Sequence, residues 1–423
     1  MHPNEPSSHE AHVKIAVVAA NDFNGFPYGG TSALVRDLLS RLSQAHDCDL
    51  LLVGLSKHGA SRSLGSSRVI GSRAHPFVSL AAVREGGRDS VRKAMALGIL
   101  KNTSWIREHR PDVLYAHSPE IGLMLAMKAP RSPLVLHCHG VDNPMDLSRY
   151  PFARTSVVRL LYEKLVLAPA LQCPRRVLVN AGPAQYALFL QRVGAGHRRF
   201  ERVSPCIDSS LFGGSNRDGA REKWGIPTDA AVGIFTGRLE PPKGVDLLIR
   251  AATEVRRANS SFELFIVGDG SARQGLEKLA QSLGNGAGIR FVGRRERHEV
   301  ASLLRAADLF LSGSVREAIS MALLEAIGSG LPAVVTEAGG AHELIEDGLN
   351  GFVLSERDPT KMAGKIRAVL ENRVGMSFHS SMIASRFSEK RVGDQVHCAL
   401  AEAAERAGSP NAGWHRRGFR SAE

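Results

Sequence analysis

Short apolar runs alternate with longer amphipathic stretches along most of the chain. In the first half the runs are apolar throughout, which is typical of parallel strands covered on both faces. The strands predicted there are VKIAVVAA (13–20), DLLLVG (49–54), DVLYAH (112–117), PLVLHCH (133–139) and RVLVN (176–180). The helices predicted between them include SALVRDLLSRLSQA (32–45) and SVRKAMALGILKNTSWIREH (90–109). This order predicts a parallel sheet with right-handed crossovers.

The second half begins the same alternation again. Its predicted strands are AVGIFTG (231–237), FELFIVG (262–268), IRFVG (289–293), ADLFLSG (307–313), PAVVT (332–336) and GFVLS (351–355). The chain is therefore predicted to be an α/β protein of two doubly wound, Rossmann-like domains that face a central crevice. Ligands of open α/β sheets bind at the carboxyl ends of the strands, so the chemistry is sought there.

The domain boundaries follow from changes in composition. The Ser-, Gly- and Asp-rich stretch 204–220 predicts a linker, and 388–408 is a last amphipathic helix. The predicted organisation is a disordered start (1–11), an N-terminal acceptor-binding domain (12–203), the linker (204–220), a C-terminal nucleotide-binding domain (221–387), the last helix (388–408) and a flexible basic tail (409–423).

Composition narrows the functional classes. The 423 residues are too many for one ordinary core, and the formal net charge of +12 implies an anionic partner. The five cysteines are scattered without a CxxC pair, which argues against a disulfide scaffold or zinc site and fits a reducing cytoplasm. The polar start predicts no signal peptide, and no apolar run has the length of a membrane span. The expected location is the cytoplasm, and peripheral contact at the inner face of an anionic membrane is left open.

Two loops of the first half carry candidate residues. Gly29 and Gly30 precede a helix, where backbone amides attract anions, although an ordinary strand–helix turn explains the pair equally well. In HCHG, His137 and His139 point to the same face of a strand. His139 is nearer the carboxyl end and is the functional candidate, although a structural histidine is the commoner case.

Two turns of the second half are typical of a nucleotide site. In GRLEPPKG, Arg238 and Lys243 flank a Pro-Pro turn at the start of a helix, an arrangement suited to a diphosphate. A solvated charge pair is the alternative. In VGDG, Gly268 and Gly270 form a turn between strand and helix whose spacing is not the dinucleotide fingerprint.

The stretch REAISMALLEAIGSGLP (316–332) places two acids, Glu317 and Glu325, in an apolar segment. Ser320 is a plausible N-cap, which leaves the amides of Met321 and Ala322 as donors for phosphate oxygens. Side chains of a helix lean towards its N-terminus, so Glu325 can reach sugar hydroxyls of a nucleotide bound there. An amphipathic helix with one solvated glutamate is the alternative.

Taken together, these motifs resemble those of the retaining glycosyltransferases of family 4, which have the GT-B fold. The motifs are the Gly-Gly loop, GRLEPPKG, VGDG and the E-x7-E stretch with the following GLPAVVTEAGGAHELIEDGLNGFVL, and the resemblance covers roughly residues 12–405. It implies that Arg238 and Lys243 bind the donor diphosphate, that Glu317 and His139 lie by the donor sugar, and that Glu325 contacts the ribose. It also implies that helix 388–408 crosses back to the N-terminal domain.

The resemblance further implies transfer of a hexosyl unit, with retention, from a UDP- or GDP-sugar to a lipid-linked, polysaccharide or other glycan acceptor. The departing diphosphate would be stabilised by Arg238, Lys243 and helix amides. Neither a cofactor nor an obligatory metal is expected, because no DxD-like site follows a strand. Two departures from the family are EAIS (317–320) in place of EGFG and PCID (205–208) in place of NGVD.

Several alternatives remain open at this stage. A nucleotide-sugar epimerase of the same fold would share the donor site, and so would a non-catalytic nucleotide-binding protein. Nucleic-acid binding fits the charge, but no recognised motif supports it. The stretch RTSVVRLLYEKLVLAP (154–169) sets Arg154, Arg159 and Lys164 among Val158, Leu161, Leu165 and Val166. It favours a membrane-presented acceptor of an envelope or exopolysaccharide pathway about as much as an ordinary surface helix. The oligomeric state is not encoded in any pattern we find.

Overall fold

The structure is a computed structural model, and it describes most of the chain. The described residues are 12–24, 30–45, 47–57, 66–70, 72–83, 91–141, 155–193, 199–214, 216–284, 288–315, 320–338 and 340–405. They form two compact units, one made of the residues up to Ser204 together with those from Lys390, the other of Pro205–Glu389.

The first unit is built on an eight-stranded sheet with the strand order β3-β4-β2-β1-β5-β6-β7-β8. Its strands are β1 Val13–Val18, β2 Cys48–Lys57, β3 Ser66–Ile70, β4 Arg73–Val83, β5 Val113–Ala116, β6 Leu134–Cys138, β7 Arg176–Asn180 and β8 Phe200–Val203. Its helices before Ser204 are α1 Gly30–Gln44, α2 Val91–Lys101, α3 Ser104–His109, α4 Pro119–Lys128, α5 Ser156–Tyr162, a π-helical turn Glu163–Leu167, α6 Ala168–Gln172 and α7 Pro183–Val193. Neighbouring strands pair in parallel except β3 with β4, which are antiparallel.

The first unit differs from the predicted pattern in its strands and in one helix. Strands β3, β4 and β8 were not predicted. Strand β3 is half-exposed at the sheet edge, β4 contains Pro76, which sequence rules place outside central strands, and β8 has only four residues at the other edge. The single helix predicted over 90–109 is two helices, α2 and α3. Asn102 Oδ1 accepts hydrogen bonds from the Ser104 amide and hydroxyl at 3.1 and 3.0 Å, and such local bonds compete with a continuous helix.

The second unit is a six-stranded sheet, parallel throughout, with the order β11-β10-β9-β12-β13-β14. Its strands are β9 Ala231–Thr236, β10 Phe262–Val267, β11 Ile289–Gly293, β12 Leu309–Ser312, β13 Ala333–Thr336 and β14 Gly351–Leu354. Its helices are α8 Ser209–Phe212, α9 Arg217–Trp224, α10 Val245–Ala258, α11 Arg273–Ser282, α12 Arg297–Ala306, α13 Met321–Gly328, α14 Ala341–Leu344, α15 Pro359–Glu371 and α16 Arg373–Ala384. Alternate strand residues enter two separate cores, so both faces are covered and most strand positions are apolar. The prediction of two doubly wound Rossmann-like sheets is confirmed.

The stretch predicted as a linker, 204–220, is folded within the second unit from Pro205 onward. The Asp208 carboxylate caps α8 by accepting from the Leu211 amide at 3.0 Å, and Asn216 caps α9 in the same way. Phe212 has no exposed surface and belongs to the unit's core. The polar composition that predicted a linker is therefore that of two helix caps, since Asp and Asn favour both settings.

The last helix, α17 (Glu389–Glu405), belongs to the first unit from Lys390 onward. Asp394 accepts from Arg41 at 2.7 Å, and His397 contacts Asp47 at 3.1 Å. Gln395 donates to Glu201 at 2.8 Å, and Arg176 pairs with Glu402. No helix among the described residues has the length and apolar character needed to cross a membrane.

Candidate active site

Three loops of the second unit interlock at the carboxyl ends of β9, β10 and β12. Gly244 and Gly313 meet backbone to backbone, and a Cβ added to Gly244 would lie 1.9 Å from the Gly313 carbonyl oxygen. The Val315 amide also donates to the Pro242 carbonyl at 2.9 Å. The loop that carries Arg238 and Lys243 is thereby fixed against the start of the loop that precedes α13.

The VGDG turn is held against the same loop. A Cβ on Gly268 would lie 1.8 Å from the Gly237 carbonyl oxygen, and one on Gly270 would lie 2.5 Å from that of Leu239. The Leu239 amide in turn donates to the Asp269 carbonyl at 3.0 Å. Loop contact thus accounts for both glycines, and their predicted role in binding a donor stays a prediction.

Arg238 and Lys243 lie together on the fixed loop. Lys243 ends a 3-10 turn over Pro241–Lys243, and Gly244 follows in the left-handed conformation at a φ of 62° before α10 begins. Burial, with the charge of Arg238 as second cause, lowers the pKa of Lys243 from 10.5 to about 8. Arg238 is exposed and forms no ion pair with a described residue. Two cations that repel each other at a strand end favour binding of an anion between them.

Helix α13 begins as predicted. Ser320 is its N-cap, and the Ser320 hydroxyl oxygen accepts from the Leu323 amide at 3.3 Å. The amides of the first helical turn have no acceptor within the helix, and those of Met321 and Ala322 are among them. The helix start is confirmed, whereas its contact with a ligand stays a prediction.

Glu325 has a charged partner within the chain. Its carboxylate lies 3.6 Å from the guanidinium of Arg297, and the two side chains are only 12% and 17% exposed. The same guanidinium lies 5.0 Å from the centroid of the Phe212 ring. A buried carboxylate in an apolar helix is therefore paired, as its desolvation requires. The sequence did not indicate this partner, because Arg297 is one of three arginines in the run GRRERHE and Phe212 lies in the stretch predicted as a linker.

Of the residues predicted in the Gly-Gly loop and in the loop before α13, the structure describes Gly30 but not Gly29 or Glu317. Gly30 opens α1. Gly29 and Glu317 lie outside the described residues, and their predicted contacts with the donor stay predictions.

The first unit holds a cluster of histidines at the carboxyl ends of β5 and β6. The register pairs Ala116 with Leu136 and Cys138 with Val179, which brings His117, His137, His139 and Asn180 onto one sheet face. His117 Nδ1 lies 2.9 Å from His139 Nε2, and His139 Nδ1 lies 3.0 Å from Asn180 Oδ1. Tyr115 and His137 form a second pair, with 2.6 Å between the hydroxyl and Nδ1. The sequence indicated only His137 and His139, since nothing in its pattern shows which strands are neighbours.

The histidine cluster is uncharged near neutral pH. Burial lowers the pKa of His139 to about 4 and holds those of His117 and His137 well below their ordinary range. One nitrogen from each of the three rings lies within 4.8 Å of the others, a spacing that also admits a metal ion. His117 Nδ1 and His139 Nε2 are hydrogen-bonded to each other across 2.9 Å. A metal that took either of these nitrogens would have to break that bond, which favours the hydrogen-bonded chain over a metal centre.

The chain matches two family models that together span most of its length. They are Glycosyltransferase Family 4 over residues 28–210 and Glycosyl transferases group 1 over residues 216–386. It is 32% identical over 314 residues to a D-inositol 3-phosphate glycosyltransferase of Geodermatophilus obscurus, a match that covers 70% of this chain and 68% of that protein. The chain belongs to the family 4 glycosyltransferases, and the resemblance predicted from its motifs is confirmed.

Solved structures agree on the fold. Sucrose-phosphate synthase from Thermosynechococcus elongatus superposes with a TM-score of 0.75 at 16% identity over 92% of this chain and 99% of that one. Anabaena HepE in complex with UDP and glucose superposes with a TM-score of 0.69 at 23% identity over 92% and 100%. The GT-B fold predicted from the sequence is therefore confirmed.

Proposed function

We propose that this glycosyltransferase moves a hexosyl unit from a UDP- or GDP-sugar to a lipid-linked, polysaccharide or other glycan acceptor, with retention of configuration. The observation that carries the proposal is the pair Arg238 and Lys243, on a loop whose backbone is fixed against Gly313 and Val315 at the carboxyl end of β12. Burial, and secondly the charge of Arg238, lower the pKa of Lys243 to about 8, and an anion bound to the pair would offset the repulsion between the two cations. HepE, which has the same fold, was solved in complex with UDP and glucose, which supports a nucleotide-sugar donor.

In the proposed reaction, the acceptor hydroxyl oxygen bonds to the anomeric carbon of the donor sugar as the bond between that carbon and the diphosphate breaks. Arg238 and Lys243 stabilise its developing negative charge, together with the amides of Met321 and Ala322. Glu325 accepts hydrogen bonds from the ribose hydroxyls, and Glu317 contacts the sugar. The leaving diphosphate accepts the proton of the attacking hydroxyl. Neither a cofactor nor a metal is assigned a step.

Free diphosphate binding tests the donor site directly. Arg238→Ala is expected to weaken the affinity for both UDP and UDP-sugar, because each charge-assisted hydrogen bond contributes about 1.5–3 kcal/mol. Arg250→Ala, an exposed arginine on the neighbouring α10, is the matched control and is expected to bind as wild type. Calorimetry that finds the same affinity for the nucleoside diphosphate in Arg238→Ala and wild type contradicts the clamp.

Retention and transfer require a product assay. Wild-type protein is incubated with UDP- and GDP-sugars and candidate acceptors, and the anomeric configuration of the product is read by NMR. Turnover of the donor to an epimer without any acceptor would instead favour the epimerase alternative. Binding without turnover of any donor would favour a non-catalytic nucleotide-binding protein.

For the acceptor, we propose presentation at an anionic membrane of an envelope or exopolysaccharide pathway, with the enzyme on the cytoplasmic side. Helix α5 and the π-helical turn expose Val157, Leu160, Leu161 and Leu165, which are 67%, 55%, 49% and 65% accessible. We call these four residues the α5 face. Their spacing places them along one side of the helix, with Arg159 and Lys164 exposed beside them. Apolar residues flanked by cations suit an anionic lipid surface. Of the residues that the sequence predicts for this role, Val158 and Val166 are half-buried, and Arg154 lies outside the described residues.

Vesicle co-sedimentation tests the membrane proposal. Binding is expected to rise with the content of anionic lipid and to fall with salt. Leu161→Glu combined with Leu165→Glu is expected to abolish it. Val374→Glu, at a site in α16 that is 75% exposed, controls for the loss of an exposed apolar residue. No binding to anionic vesicles at low salt, with full activity on a water-soluble acceptor, contradicts the proposal. A phosphorylated polyol is the soluble acceptor to include, since the relative from Geodermatophilus obscurus is named as a D-inositol 3-phosphate glycosyltransferase.

A further inference from the structure

The hydrogen bonds of the histidine cluster have one consistent direction. The Asn180 side-chain amide nitrogen donates to the Val203 and Ser204 carbonyl oxygens at 2.9 and 3.3 Å. Since that nitrogen is engaged there, the oxygen of the same amide is the atom that faces His139. An amide oxygen only accepts, so His139 Nδ1 carries a proton and donates to it across 3.0 Å.

The direction continues to His117. At the pH where both rings are neutral, a proton on His139 Nδ1 leaves Nε2 as an acceptor. His117 Nδ1, 2.9 Å away, must therefore donate to it. The two ring planes differ by 6° and the ring centroids lie 5.2 Å apart. With 2.9 Å between the two nitrogens, centroids this far apart require both nitrogens to lie nearly on the line that joins the centroids. The rings therefore meet edge to edge, with the N–H of His117 directed at the lone pair of His139.

The last atom of this chain is His117 Nε2, which is left unprotonated. It is buried and has no hydrogen-bond partner among the residues that the structure describes. Leaving a buried acceptor unpaired is unfavourable, so the position favours a ligand or water that donates a hydrogen bond. Asn21 Oδ1, beyond the end of the neighbouring strand β1, is another buried acceptor for which the described part of the chain provides no partner. Both atoms follow the carboxyl ends of strands, where ligands of such sheets bind.

We infer that His117 Nε2 binds a hydroxyl group of the sugar substrates, and that Asn180 and His139 are positioning residues that keep this nitrogen unprotonated. His139, with both ring nitrogens engaged inside the protein, does not itself donate to or accept from that hydroxyl. The identification of the hydroxyl as one of a sugar rests on the proposed function, whereas the tautomers of the two histidines do not.

The tautomers are measured first, by long-range ¹H–¹⁵N NMR of protein labelled with ¹⁵N-histidine, with peaks assigned from single His→Gln variants. His117 and His139 are both expected in the Nδ1–H form in wild type, and Asn180→Ala is expected to lose this fixed form at His139. An Nε2–H tautomer at His117 in wild type overturns the inference, whether or not the enzyme has the proposed activity. Stoichiometric zinc in the purified protein that is lost on chelation, with a change in the histidine signals, overturns it as well.

Kinetics with an established donor and acceptor then test the role of the nitrogen. In His117→Asn the amide nitrogen takes the place of Nδ1 and still donates to His139, but no atom takes the place of Nε2. We expect kcat/KM to fall at least tenfold, while the tautomer of His139 and the affinity for free UDP stay as in wild type. His75→Asn is the matched control, since His75 is a buried histidine on β4, which β2 and β1 separate from β5 in the same sheet, and it is expected within about threefold of wild type. Unchanged kcat/KM in His117→Asn, or an equal loss in both variants, overturns the inference.

Discussion

The guanidinium of Arg297 at the start of α12 lies 3.6 Å from the carboxylate of Glu325 on α13. The two residues are 28 positions apart in sequence, and the ring of Phe212, from a third segment, lies against the same guanidinium. An opposite charge this close offsets part of the cost of burying the Glu325 carboxylate. It also limits the directions in which the carboxylate can point.

This pairing predicts that Arg297 acts on the ribose through Glu325. Arg297→Gln is expected to weaken UDP binding and to reduce the preference for UDP over 2′-deoxy- and 3′-deoxy-UDP, because a loosened carboxylate discriminates less between ribose and deoxyribose. Calorimetry with the three nucleotides measures this preference directly. Arg294→Gln, an exposed arginine of the same run, is the control. A uniform loss of affinity for all three nucleotides would show that Arg297 acts on general stability or charge alone.

The two acids of the E-x7-E stretch are expected to differ in effect. Glu325→Gln should mainly raise the Kd for the nucleotide, since its carboxylate is expected at the ribose. Glu317→Gln should mainly lower kcat, since its predicted position is at the transferred sugar. Steady-state kinetics and calorimetry on both variants separate the effects, and wild-type behaviour of both variants with every donor contradicts the assigned roles.

The lowered pKa of Lys243 predicts how diphosphate binding depends on pH. Only the ammonium form attracts the anion, and the bound anion raises the pKa of this group. Affinity for UDP is therefore expected to change little between about pH 7, where the diphosphate is fully ionised, and pH 8, and to fall by up to tenfold per pH unit above pH 8. Calorimetry in buffers of different ionisation enthalpy should detect proton uptake on binding near pH 8.5. Lys243→Met is expected to bind UDP weakly and without this pH dependence.

The lowered pKa of Lys243 also makes the stability of the folded protein depend on pH. Lys243 has its pKa at about 8 in the folded protein against 10.5 for the free group, so the unfolded chain binds more protons between these values. The free energy of unfolding of the apo protein is therefore expected to rise with pH between 8 and 10.5. Below pH 8 the destabilisation caused by burying the charged Lys243 is fully present. Chemical unfolding across this range should show a smaller rise for Lys243→Met than for wild type.

The contact of Gly244 with Gly313 predicts a large cost for a single methyl group. Gly244→Ala would place Cβ 1.9 Å from a carbonyl oxygen at a φ of 62°, so the loop of Arg238 and Lys243 must move. We expect a loss of at least about 2 kcal/mol in the free energy of unfolding, together with weaker UDP binding. Gly275→Ala, in α11 with open space around the added methyl, is expected to stabilise by about 0.5–1 kcal/mol. Denaturant titrations of the two variants give the comparison, and equal stabilities contradict it.

Removal of divalent metal is expected to leave the reaction unchanged. The diphosphate charge is assigned to Arg238, Lys243 and helix amides, and the histidine nitrogens that a metal would need are engaged with each other. Initial rates after dialysis against a chelator, with and without added Mg²⁺ or Zn²⁺, measure this. A rate that requires either metal contradicts the assignment.

Much of the candidate site was predictable because its parts are local in sequence. The N-cap at Ser320, the cation pair of GRLEPPKG and each single strand or helix are encoded within about a dozen residues, where hydrophobic periodicity and capping preferences act. The partners Arg297, Phe212, His117 and Asn180 were not predictable in this way. Each reaches its contact through the packing of separate elements, and single-residue propensities carry no information on that packing.

The sequence by itself determined the alternation of strands and helices, the two doubly wound sheets and the family, since burial on both faces of a parallel sheet leaves an unmistakable apolar pattern. Only the tertiary structure decided that the polar stretch after Ser204 is two capped helices, with Phe212 in the core behind Arg297. It alone decided that an isolated acid on an apolar helix is paired and that two histidines and an asparagine, at the ends of three neighbouring strands, form one directed chain. The physical reason is that burial is encoded residue by residue, whereas a hydrogen bond or ion pair depends on the distance between two groups that the chain brings together only when it folds.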